Sequence, residues 1–282
     1  MKSQKSEVCP CPTGKLIIIG GAENKTEKQK ETDLAKGVLK AFIVLCGENP
    51  FIEIITTAGE EAVNDTFEEY LACFKSLGAK DAGHIHHDSR PIEDLDVVER
   101  IRKADGVFFS GGDQLKLTAI YGGTQLMSVM KERYIHNGLV IGGTSAGAMA
   151  MSTPMIYEGT GQREMVAAGV KVTTGFEFLK DVCIDTHFVH RGRFVRMAQV
   201  IATNPASIGI GIEEDTAIVI INGRDAKVIG CGVVIIIDGE KSHGSNITSF
   251  DNEKKITVKD LRVSILSEGQ KFEVPARNPP HL

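Results

Sequence analysis

The stretch Gly143-Thr144-Ser145-Ala146-Gly147 places a serine between small residues, directly after the apolar run Leu139-Val140-Ile141. A serine on a sharp strand-to-helix turn holds its hydroxyl clear of the backbone, and the G-x-S-x-G spacing lets strand and helix close around it. The chemistry open to such a serine is acyl transfer, with backbone N–H groups at the start of the following helix favouring the charge that develops. Glycine-rich turns of this kind also serve phosphate binding or plain packing, so the serine alone decides nothing.

A serine nucleophile needs a general base, and Ile184-Asp185-Thr186-His187-Phe188 puts a histidine at the end of an expected strand. Its position favours His187 over His84, His86, His87 and His190. The base needs a carboxylate to fix its tautomer. Glu213-Glu214-Asp215 follows the short run Gly209 to Ile212, and Glu214 is the preferred member, with Glu158 and Glu164 as competing acids. Ser110-Gly111-Gly112-Asp113-Gln114 ends another strand, where glycine permits close backbone approach. Gly112 N–H and Ala146 N–H are therefore the candidate oxyanion hole. Gln114 is expected to project into the same cleft, or else simply to begin a helix.

Arg191-Gly192-Arg193-Phe194-Val195-Arg196 sets three arginines immediately after the candidate base. Arginine forks bind carboxylates bidentately, so the cluster suits a substrate rich in carboxylates. Structural ion pairs are the alternative, expected for at least one of the three. An isolated basic hexapeptide in a chain of net charge −5 does not indicate a nucleic-acid partner.

These residues must be carried by a scaffold, and the chain before Ser145 alternates apolar runs with helical patterns. Lys15–Gly20, Phe51–Thr57, His84–His86 and Gly106–Ser110 read as strands. Segments 33–46, 65–77 and 92–103 carry apolar residues at helical spacing. That rhythm predicts an α/β fold with a mostly parallel sheet, helices on both faces, and strand C-termini on one edge. Beyond Met151 short β-rich runs dominate, separated by Asn222-Gly223 and Asp238-Gly239, which predicts hairpins and a β-rich C-terminal third. Residues 1–13 are expected to form a mobile leader and 14–282 one domain. With 42% hydrophobic and 24% charged residues the composition is that of an ordinary globular protein. No apolar run has membrane-spanning length, so a cytoplasmic protein without a membrane partner is expected. Of the six cysteines, Cys9 and Cys11 form a C-x-C pair without the partners a zinc site needs, and neither a metal nor another cofactor is expected.

Taken together, the chain resembles the serine peptidase family that contains the cyanophycinases and aspartyl dipeptidase. The resemblance rests on five segments in the family's order. These are Ile19-Gly20-Gly21-Ala22-Glu23, Gly111-Gly112-Asp113-Gln114, Gly142 to Ala148, Asp185 to Phe188 with Arg191-Gly192-Arg193, and Gly211 to Ala217. It implies a fold like that of class I glutamine amidotransferases, flavodoxin-like in its sheet, and a cytoplasmic homodimer. The implied activity is cleavage of cyanophycin, a poly-aspartate bearing arginine on each β-carboxyl, to β-Asp-Arg dipeptides. It makes Ser145 the nucleophile, His187 the base and Glu214 the acid. Gln114, Asp185, Thr186, Arg191, Arg193 and Arg196 become lining of the substrate pocket, with Asp185 taking a guanidinium. Thr186 and His190 depart from the family's glutamines.

Overall fold

In strand β1 (Lys15–Ile19) successive side chains go to opposite faces, and both faces are buried. Ile17 and Ile19 join one apolar cluster, Leu16 and Ile18 another. A strand buried on both sides needs a layer of helices on each, which the computed structural model, described over residues 10–23, 25, 37–92, 94–159, 161–248 and 254–274, supplies.

Helices α1 (Gly37–Cys46) and α2 (Val63–Ser76) cover the first face. Phe42, Tyr70 and Phe74 there meet Phe108 of the sheet, with ring centroids 4.9–5.2 Å from it. Helices α3 (Leu95–Lys103), α4 (Gln114–Tyr121) and α5 (Gln125–His136) cover the second. Each begins at a side chain that accepts its first free amides, namely Asp94, Asp113 and Thr124.

The other strands of this half are β2 (Phe51–Ile55), β3 (Asp81–Ile85), β4 (Gly106–Phe109) and β5 (Val140–Thr144). They run parallel in the order β1-β5-β4-β2-β3. A four-residue helix α6 (Ala146–Met149) follows β5.

The parallel pattern stops there. After β6 (Ser152–Thr153), β7 (Met155–Glu158), β8 (Lys171–Thr173) and β9 (Leu179–Lys180) the chain builds β10 (Val182–Thr186), helix α7 (Phe194–Thr203) and β11 (Ile208–Ile212). It ends with β12 (Thr216–Ile221), β13 (Asp225–Gly230), β14 (Val234–Asp238), β15 (Arg262–Leu266) and β16 (Lys271–Glu273). β12, β13 and β16 extend the first sheet beyond β1 by successive antiparallel pairings, making eight strands. The second sheet, β15-β14-β11-β10-β6-β9, is mixed, with β10 and β11 parallel. The α/β class is as expected, but the mostly parallel sheet holds only for the first half.

The hairpin at Asn222-Gly223 forms, both residues taking positive φ as such a turn demands. Asp238-Gly239 does not close a tight hairpin, because the chain next joins the sheet at Arg262. Helix α7 packs Met197, Val200 and Ile201 against Cys183 and Ile237, so the second sheet is also covered. Of the expected leader, residues 1–9 with Cys9 lie outside the described residues. Thr13 at its end donates to Ile135 O, and Cys11 to Asn222 O.

Candidate active site

Register explains how residues far apart in sequence arrive together. Ile19 of β1 pairs with Thr144 of β5, so Gly20 and Ser145 leave the sheet side by side. Thr186 of β10 pairs with Ile212 of β11, so His187 and the acidic run leave the second sheet at one level. The carbonyls at the end of β1 then join the two. Ile19 O accepts from Ser145 N at 3.1 Å, Gly20 O from His187 N at 2.8 Å, and Gly21 O from Asp215 N at 2.9 Å. A Cβ on Gly20 would enter the Glu213 carbonyl, and one on Gly21 the His187 ring. This is the physical reason for two glycines at that place.

Ser145 sits at φ 49°, ψ −114°, a conformation seldom taken by a residue with a side chain. A Cβ on Gly143 would run into Gly147 and Met151, and one on Gly147 into Phe109, so only small residues let the elbow close. Its Oγ lies 3.1 Å from His187 Nε2. His187, itself at φ 49°, has Nδ1 2.6 Å from Glu214 Oε1. The hydrogen bond from His187 is the main cause that holds the Glu214 carboxyl below its usual range. Burial opposes it, and His190, His187 and Arg191 add attraction. Serine, imidazole and carboxylate in this order can move a proton off Oγ and stabilise the resulting imidazolium.

The two neighbouring acids do other work. Glu213 Oε2 accepts from Val189 N and His190 N, which fixes the turn after the histidine. Neither competing acid reaches His187: Glu158 pairs with Arg163 and Lys171, and Glu164 lies in a 3-10 turn, its carbonyl taken by Gln199. Of the other candidate histidines, His190 sits beside Glu213 and Glu214, and three are elsewhere. His84 and His86 share the Thr56 hydroxyl, and His87 meets Tyr121.

Of the glycine pair after β4, Gly111 is the one against the nucleophile, its Cβ position 3.4 Å from Ser145 Cβ. Gly112, at φ 139°, packs on Ala58. Asp113 caps α4, and Gln114 begins that helix while its amide donates to Ile156 O at 2.7 Å. The side chain expected in the cleft is thus tied to β7.

The larger correction concerns the arginine cluster. Asp185 and Thr186 are fully buried and Arg196 is 3% exposed. Asp185 receives Arg193 Nη1 at 3.0 Å and Arg196 Nε at 2.6 Å, with a further bond from Arg196 Nη2. A carboxylate on β10 and guanidinium groups on and beside α7 are forced together by the packing of that helix, where an unpaired charge is too costly to bury. Asp185 is therefore committed within the fold rather than open to a substrate guanidinium, and Arg191 is the one of the three arginines left exposed. Asp185→Asn should lower stability by about 3–5 kcal/mol, because it leaves the buried Arg196 and the half-buried Arg193 without their anion. Urea unfolding reads this as a lower midpoint at unchanged slope, and a shift worth under about 1 kcal/mol would contradict the pairing.

A cleft of about 280 Å³ opens in front of Ser145 and His187. Glu23, Lys25, Thr66 and Tyr70, which no sequence argument assigned a role, also line it. Among the described residues the donor atoms of His190, Glu213 and Glu214 lie within 4.8 Å of one another, the spacing of a metal cluster. Both carboxylates there already serve protein donors. No described helix is long and apolar enough to cross a membrane.

The family model of peptidase family S51 matches residues 16–229. A cyanophycinase from Geminocystis herdmanii is 31% identical over 265 residues, covering 94% of this chain and 95% of the relative. One from a Nostoc species is 30% identical, covering 93% and 86%. Among solved structures, a peptidase from an acI-B1 Actinobacterium superposes with a TM-score of 0.69 at 22% identity, over 94% of this chain and 98% of that one. A match of that extent, around a serine, a histidine and a carboxylate in hydrogen-bonding sequence, identifies the chain as a member of peptidase family S51, and so as a serine peptidase.

Proposed function

We propose that this peptidase hydrolyses cyanophycin, acting from a chain end and releasing β-Asp-Arg dipeptides. The observation that carries the reading is the Ser145–His187–Glu214 relay in a chain alignable almost end to end with relatives named cyanophycinase. Ser145 Oγ gives its proton to His187 Nε2 and attacks the main-chain carbonyl carbon of the terminal linkage. The oxyanion is met by the N–H groups of Ala146 and of the Gly111-Gly112 turn, with Gly112 as the assigned donor. Collapse breaks the C–N bond, His187 gives its proton to the departing amine, and an ester on Ser145 remains. Water, deprotonated by His187, then attacks that ester and releases the acid and the free hydroxyl.

In this reading Arg191, left exposed, holds a substrate carboxylate. The cytoplasmic homodimer that the resemblance implies belongs to the same reading, and light scattering on the purified protein checks the dimer.

The test compares kcat/KM for soluble β-Asp-Arg oligomers with that for α-linked aspartyl dipeptides. Preference for the oligomers by 100-fold or more is expected. Turnover of the dipeptides alone would make the protein an aspartyl dipeptidase, and binding without turnover of either would make it a binding relative.

A further inference from the structure

With Asp185 locked between Arg193 and Arg196, a cationic side chain in the substrate needs another anion, and the cleft wall holds one. Glu23 is 9% exposed and lines the cleft with Ser145 and His187. Its Oε1 accepts from the Tyr70 hydroxyl and its Oε2 from Thr144 Oγ1 at 2.5 Å, the residue before the nucleophile. Both donors are neutral, since burial first and the charge of Glu23 second push the Tyr70 phenol far above its usual range. Among the described residues Glu23 makes no ion pair. A carboxylate has about four acceptor sites, and two hydroxyls leave about half of them unused.

The Tyr70 ring itself is not free to take a ligand, being 2% exposed and packed on Phe74 and Phe108. The Lys25 ammonium lies 4.1 Å from the centroid of the Tyr70 ring and 3.1 Å from Glu69 Oε2. That ammonium is paired with Glu69 rather than Glu23, so the Glu23 carboxylate is the anion the cleft offers to a guanidinium, through charge-assisted hydrogen bonds. We infer that Glu23 forms the subsite for the cationic side chain of the substrate, so that Glu23 sets the preference for arginine over a neutral group. This inference rests on the cyanophycin reading above.

The competing role for Glu23 is a brace under Thr144, and kinetics with two isosteric substrates separates them. One is a β-Asp-Arg oligomer, the other its citrulline counterpart, in which a neutral urea replaces guanidinium. The native enzyme should prefer arginine by about 10- to 100-fold, the worth of a hydrogen bond to a charged group. Glu23→Gln should bring that ratio close to one, chiefly through a raised KM for the arginine substrate. Tyr70→Phe, which removes a hydroxyl donor and keeps both carboxylate and ring, should retain the preference.

Equal losses on both substrates in Glu23→Gln would show a brace and overturn the inference, as would a preference that survives the substitution. Native enzyme that cleaves neither substrate would instead overturn the cyanophycin reading, and this subsite with it. Thermal unfolding of both variants identifies a loss due to misfolding, and a folded Glu23→Asp variant that keeps an arginine preference then serves as the charge-retaining control.

Discussion

Ser145→Ala is expected to reduce hydrolysis by about six orders of magnitude, the loss typical of removing the nucleophile from a serine peptidase relay. The oxygen it removes is the one 3.1 Å from His187 Nε2, and no other hydroxyl is given that position. The backbone should not object. Alanine keeps the Cβ that serine already carries at φ 49°, and the glycines that make room for the elbow are untouched. Binding should therefore survive while turnover disappears. Co-sedimentation with insoluble polymer measures the first quantity, and single-turnover mixing with a β-Asp-Arg oligomer the second. Retention of more than about 1% of the native rate would mean that another group attacks the carbonyl.

Glu214→Gln is the second large effect, about 10⁴-fold in kcat. Glu214 Oε1 accepts from Nδ1 of His187, so the proton is on Nδ1 and Nε2 has a lone pair for the serine proton. A glutamine amide can turn its N–H₂ toward Nδ1 instead, which moves the ring proton to Nε2 and leaves no base facing Ser145. The geometry stays the same while the tautomer is wrong, so KM should change little.

The sign of the pH effect follows from the same bond. Because the folded value of Glu214 lies below the unfolded one, its stabilising interaction is complete above the ordinary carboxylate value. It is lost only as pH falls through the depressed folded value. Carbon-13 NMR of a labelled Glu214 carboxylate should thus give a midpoint below about 4.3, and a midpoint above it would mean that His187 does not donate there.

Much of the site was legible because strand ends are legible. Ser145, His187 and Glu214 each follow a short apolar run, and parallel pairing of β1 with β5 and of β10 with β11 brings such ends to one edge. What a linear reading lacks is burial. Asp185 and the arginines at 193 and 196 have the spacing of a binding cluster, yet α7 folds back over β10 and turns them into an interior ion triad. Gln114 is similar, its amide drawn to a carbonyl of β7 that sequence does not place nearby.

Gly20 and Gly21 were visible as a motif, but their purpose was not, because it depends on three backbone bonds to residues more than a hundred positions away. Glu23 follows the same pair, and its meeting with Tyr70 requires α2 to pack beside the end of β1. The mixed second sheet escaped for a different reason. Short β-rich runs define strands but not partners, and the long passage between Asp238 and Arg262 hides which neighbour β15 finds.

The most direct test of the central claim is incubation of the purified protein, beside its Ser145→Ala variant, with insoluble cyanophycin. Clearing of the suspension is followed, and the soluble products are identified by mass. Clearing by the native protein alone, with β-Asp-Arg as the product, is the predicted result. Clearing by both proteins would contradict the assignment of Ser145 as nucleophile, and clearing by neither would contradict cyanophycin as the substrate.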